Sequence, residues 1–105
     1  MAKGDDSIKK LQEMATLFRD AREWKQFHNP KDLALSLMLE AAEVMEHFQW
    51  KNTEEMRAHI NMSREQIGDE LADVLFWALI MAHDFEIDLS SAFTRKLKKI
   101  GRAHV

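Results

Sequence analysis

The stretch Leu37-Met38-Leu39-Glu40-Ala41-Ala42-Glu43-Val44-Met45 decides the fold. Leu33, Leu37, Ala41, Val44 and Phe48 recur at steps of three and four and form one helical stripe. Leu35, Met38, Ala42 and Met45 widen that stripe to most of the circumference, so the helix is expected to be buried on more than one side. The pattern predicts limits at about Pro30 and Phe48. Asn29 suits the N-cap, because its side chain accepts from a free amide of the first turn. Pro30 suits the first helical position, where no amide donor is needed, and Asp32 places a negative charge at the positive end.

Outward from this helix the chain is similar in kind. A helix from about Asp6 to Phe27 is predicted by Ile8, Leu11, Met14, Ala15, Leu17 and Phe18. Gln49–Ser63 reads as a connection with room for a short helix from Thr53 to Ile60. Ser63-Arg64-Glu65-Gln66 reads as a capping box that opens a helix from Arg64 to about Phe85. Gly68 inside it costs ~1 kcal/mol relative to alanine and suggests close approach by a partner. Asp88-Leu89-Ser90 caps a last helix, Leu89 to Ile100, with Gly101 placed to end it. The expectation is an all-α, four-helix-bundle-like domain over residues 1–105, with four main helices.

Composition narrows the chemistry. One proline and three glycines are few for an all-β sandwich. The absence of cysteine excludes disulfides, thiolate zinc sites and a cysteine nucleophile. A net charge of −3 argues against nucleic acid, which needs a concentrated basic surface. Leu71–Ala82, the longest mostly apolar run, is interrupted by Asp73 and is too short to span a bilayer. The opening Met1–Asp6 does not read as a secretory signal, so a cytoplasmic location is expected.

The chemistry lies in a mismatch. The two most apolar helices each hold carboxylates three apart, Glu40 with Glu43 and Glu70 with Asp73. Residues three apart share a helix face. If the helices pack antiparallel, the carboxylates converge, and such a site is costly unless a cation neutralises it. Oxygen ligands select a hard ion, Mg²⁺ first, with Mn²⁺ or Ca²⁺ as substitutes. A single Glu-x-x-Glu pair is more often a solvated face; it is the second pair, also in an apolar helix, that favours metal. A di-iron site wants Glu-x-x-His steps, and Lys25, Val44, Met56, Ile80 and Gly101 stand three before the histidines.

These residues resemble a known family. Glu40-x-x-Glu43 followed by Glu70-x-x-Asp73 is similar to the paired acidic motif of MazG-type, all-α nucleoside triphosphate pyrophosphatases. Phe18–His28, Phe48-Gln49-Trp50-Lys51 and Asp69–Leu75 resemble its dCTP pyrophosphatase branch. The resemblance covers roughly residues 8 to 97. It implies Mg²⁺-dependent hydrolysis of a (deoxy)nucleoside triphosphate, dCTP or a related dNTP, to monophosphate and pyrophosphate. It implies Glu40, Glu43, Glu70 and Asp73 as metal ligands, Trp24 and Trp50 around the base, and Trp77 at a tyrosine position of the family. It also implies a homo-oligomer, a tetramer rather than a dimer. Ile100 stands where the family often has asparagine after Lys96, and the tail Gly101–Val105 departs from the family's pattern.

Roles follow from charge. Glu43 is the candidate to orient or deprotonate the attacking water. Lys51 and Lys96, with Arg95 behind them, complement the leaving pyrophosphate. Trp24 and Trp50 lie near helix ends where an indole can stack on a base, and His28 is a candidate base contact. His47, His59, His83 and His104 are assigned no function. Leu35, Met38, Phe76 and Ile80 are expected to be buried against another subunit. Two other readings are a non-catalytic helical module binding nucleotide or a protein partner, and a structural bundle whose carboxylates pair with lysine or arginine.

Overall fold

A computed structural model describes residues 7–103. The expected helix start at Asp6, and His104, lie outside the described residues. Five α-helices follow in order: α1 Ser7–Ala21, α2 Pro30–Glu46, α3 Thr53–Met62, α4 Arg64–Asp84 and α5 Leu89–Ala103, with a 3-10 turn at Trp24–Phe27. Among the described residues the fold class is all-α, with the four main helices expected and a fifth, α3, where the connection had room for a short one. The connection before α4 is a full helix because Asn52 and Glu55 close a capping box: Asn52 Oδ1 accepts from Glu55 N and Glu55 Oε1 from Asn52 N, both at 2.8 Å. The box expected at Ser63 is replaced by a different role. Ser63 is the C-cap of α3, its amide donating to His59 O at 2.8 Å, because a single residue separates α3 from α4.

Other ends follow their local chemistry. Asn29 caps α2 by accepting from Asp32 N at 2.9 Å, with Pro30 at the first position. Asp88 caps α5 by accepting from Ser91 N at 3.0 Å. Gly101 does not end α5; it has no positive φ and lies within the helix. A Cβ at Gly68 would meet nothing within 4 Å in this chain, so the close approach expected there is not made within it. The first helix stops at Ala21 rather than Phe27. Arg22 N and Glu23 N donate back to Arg19 O and Asp20 O, a tightening that leaves Glu23 left-handed at φ 56°. Trp50 and Glu86, after α2 and α4, take the same conformation at φ 67° and 57°. Each costs ~1 kcal/mol or more.

The chain divides into two compact units. Of the described residues, the first comprises 7–26 and 79–103. Ala15, Thr16 and Arg19 of α1 and Leu79, Ile80 and Ala82 of α4 are buried there, and Gln12 Nε2 donates to Leu79 O at 3.0 Å. The Arg19 guanidinium is fully buried; Nη1 donates to Asp84 Oδ2 at 2.7 Å and Nε to Asp20 Oδ1 at 3.3 Å. Burial alone would lower the Arg19 pKa and raise that of Asp84. Their mutual bond reverses both, helped by Asp20 for Arg19 and by His83 for Asp84. The second unit, residues 27–78, holds α2, α3 and the first part of α4. Leu33 is buried in it, and the rings of His47, Phe48 and His59 pack on one another.

Much apolar surface stays open. Leu35, Met38, Leu39 and Met45 on α2 are all exposed. Ile80 corrects the expected partner face: it is completely buried within the first unit, because the inner face of α4 is already covered there. Among the described residues no helix is long and apolar enough to cross a membrane.

Candidate active site

Positions three apart on α2 place Glu40 and Glu43 on one face, and the same step on α4 places Glu70 with Asp73. All four belong to the second unit. Glu40 is half-buried and its Oε2 is buried without a hydrogen-bond partner. Its carboxyl pKa is raised, first by desolvation and then by the charges of Glu43, Asp73 and Glu70. Glu40 therefore feels the charges of the other three, two of them on another helix. Glu70 Oε1, also buried, has no hydrogen bond of regular geometry and instead lies in ion-pair contact with His47 Nε2.

An oxygen-only donor set with an orphaned buried oxygen and like-charge repulsion suits a hard divalent cation. Among the described residues no three His, Asp or Glu side chains already stand at ligating geometry. Closure on an ion would require the carboxylates to swing inward.

The other candidates divide between the units. His28 and Trp77 meet in the second unit, ring centroids 5.4 Å apart in an edge-to-face arrangement, with Phe76 against Trp77. Lys51, in the same unit, is half-buried; after burial itself, its charge is the main influence lowering the His59 pKa, with His47 adding to it. Trp50 is 91% exposed. A bulky indole held left-handed and open to solvent is strained without packing in return. Trp24 belongs to the first unit, where its ring meets Phe18 at 5.6 Å and Arg22 lies over the Phe18 ring. Lys96 is exposed on α5 of that unit. A cavity of ≈ 230 Å³ in the first unit, lined in part by Gln12, His83 and Asp88, contains none of these residues.

His47 and His59, given no role from the sequence, stand beside the carboxylates. His47 Nδ1 is 2.7 Å from His59 Nε2, and its other nitrogen faces Glu70. A signal was present: His47 is four residues after Glu43 and seven after Glu40, hence on their face of α2.

A family model described as MazG-like matches residues 35–105, which contain the four carboxylates, Trp50, Lys51, Trp77 and Lys96. The chain belongs to the MazG-like family. This MazG-like chain is 32% identical over 95 residues to dCTP pyrophosphatase 1 of Bos taurus and to that of Homo sapiens. Those matches take in 89% of the chain and 56% of each relative, so it spans about half the length of the curated relatives it matches. Its fold is similar to the crystal structure of a pyrophosphatase from Archaeoglobus fulgidus DSM 4304. The TM-score is 0.88 at 32% identity, covering 98% of this MazG-like chain and 96% of the other.

Proposed function

We propose that the chain is a nucleoside triphosphate pyrophosphohydrolase that uses Mg²⁺, or Mn²⁺ in its place, to release monophosphate and pyrophosphate. The observation that carries this is Glu40, half-buried among Glu43, Glu70 and Asp73 with an unpartnered oxygen, in a chain of this family. Four carboxylates repel a triphosphate unless cations lie between them. Bound Mg²⁺ would neutralise phosphate oxygens and lower the pKa of a coordinated water.

The chain's own residues supply the rest. Glu40, Glu43, Glu70 and Asp73 would hold the metal. Glu43, the more exposed of the α2 pair, reaches a water and takes its proton. Lys51 meets charge on the leaving pyrophosphate. Trp50 offers an open indole face for a base, and His28 with Trp77 forms an aromatic wall. The roles of Trp24, stacking, and Lys96, charge complement, rest on the motif resemblance alone.

The finer reading is a deoxynucleotide substrate such as dCTP, supported by the relatives' names. A homo-oligomer is supported by the open apolar face of α2, and its being a tetramer before a dimer rests on the motif resemblance. Residues 1–105 act as one MazG-like domain, in the cytoplasm where nucleoside triphosphates are held. The test is a nucleotide panel with Mg²⁺ and product identification. Monophosphate and pyrophosphate in equal amounts are expected, fastest from a pyrimidine deoxynucleotide. No turnover of any nucleotide with Mg²⁺ or Mn²⁺ overturns the activity; binding retained without turnover leaves the binding-module reading.

A further inference from the structure

We propose that His47 is a positioning residue for Glu70 and that His59 orients it, so that α2, α3 and α4 are joined by one imidazole-to-carboxylate chain. The proposal rests on the metal-binding reading above. His47 caps the C-terminus of α2, His59 lies on α3 and Glu70 on α4. His47 Nε2 faces Glu70 Oε1 in ion-pair contact, and His47 Nδ1 is 2.7 Å from His59 Nε2.

The proton positions follow from the acceptor. A carboxylate oxygen only accepts, so His47 Nε2 carries hydrogen. His47 Nδ1 then faces His59 Nε2, and the two rings share one hydrogen whichever of them carries it. The contact is shielded, since the His47 side chain is 14% exposed and that of Glu70 26%. The His47 ring is held by neighbours, with the His59 centroid at 5.0 Å and that of Phe48 at 6.2 Å.

The arrangement has a chemical use. With Oε1 committed to His47, the Glu70 carboxylate has a fixed plane and presents Oε2 as its free oxygen. Partners behind a ligating carboxylate fix its orientation and raise metal affinity. A donor at Oε1 also relieves the repulsion that Glu70 exerts on Glu40.

The experiment uses the full chain without nucleotide. Free Mn²⁺ is followed by electron paramagnetic resonance to give Kd for the wild type, His47→Phe, His47→Gln and His59→Phe. Loss of a partner behind a ligand weakens metal binding by about 10–100-fold, which is the expectation for His47→Phe. His47→Gln keeps a side-chain donor and recovers most of the loss; His59→Phe lies between. A wild-type Kd in His47→Phe, with nucleotide turnover intact in the wild type, overturns the positioning role and leaves the enzyme reading standing. Absence of both Mn²⁺ binding and turnover in the wild type overturns both. Imidazole ¹⁵N spectra of the metal-free wild type decide independently of any variant's folding. A hydrogen on His47 Nε2 is expected, and a ring carrying hydrogen on Nδ1 alone overturns the proposal.

Discussion

The two units handle buried charge in opposite ways. In the first, the fully buried Arg19 guanidinium meets Asp84 at 2.7 Å and Asp20 at 3.3 Å, so opposite charges answer one another within the fold although Arg19 Nη2 is itself buried without a hydrogen bond. In the second, Glu40 is surrounded by Glu43, Asp73 and Glu70, charges of its own sign, and one of its oxygens is buried without a partner. A compensated buried charge serves stability when its partner is kept. A set of like charges, relieved where His47 meets Glu70, destabilises its own unit and suits the cation proposed above. The fold thus separates a pair that holds helices together from a quartet suited to binding.

The largest effect expected from breaking this contrast lies in the second unit. Glu43→Gln should lower kcat by about 10²–10⁴-fold, the span of a lost general base. Circular dichroism and melting should change little, because a like charge has been removed; unchanged kcat would remove Glu43 from the chemistry. The counterpart in the first unit is Asp84→Asn, which leaves the buried Arg19 only the exposed Asp20 as a charged partner and should cost up to about 3–5 kcal/mol in urea unfolding. It also has a pH signature. Burial would raise the Asp84 pKa, but Arg19 and His83 hold it below the ordinary carboxylate value. The pair's contribution is therefore present above the ordinary carboxylate range and lost as pH falls through the lowered folded value. Stability of Asp84→Asn should be flatter across that acid limb; an equally steep limb would place the acid sensitivity elsewhere.

Metal addition gives a smaller change. At Mg²⁺ near 100 times its Kd the wild type should gain ~2.7 kcal/mol by linkage. Glu40→Gln should melt higher than the wild type without metal and gain less with it. A full gain in Glu40→Gln would detach Glu40 from the metal. The smallest stability effect is expected at Trp50. Trp50→Gly relieves a left-handed, 91% exposed residue and should stabilise by ~1 kcal/mol. It should also raise KM for nucleotide, because the open indole face is lost. An unchanged KM would make Trp50 irrelevant to the base.

Part of this was legible one segment at a time. Asn29, Pro30 and Asp32 announced the start of α2, and Asp88 that of α5, because capping bonds span only three residues. The Asn52–Glu55 box was equally local and carried the same type of signal. The stop of α1 was not legible, because Glu23 adopts a conformation usually left to glycine. Gly101 misled in the other direction, since a helix tolerates glycine when nothing forces a left-handed turn. Ile80 and Leu35 looked alike as apolar helix residues, yet one is completely buried and the other exposed.

By itself the sequence determined which segments are helical, the caps at Asn29 and Asp88, and the pairing of Glu40 with Glu43 and of Glu70 with Asp73 on single faces. Those depend on hydrogen bonds and a 3.6-residue repeat that reach no further than a few positions. Only the tertiary structure decided that Arg19 pairs with Asp84, 65 residues away, and that Glu40 feels Glu70 and Asp73. It alone brought His59 and Glu70 to the two nitrogens of His47. The physical reason is that charges and ring nitrogens act over a few ångströms of space, and the packing of helices sets those distances.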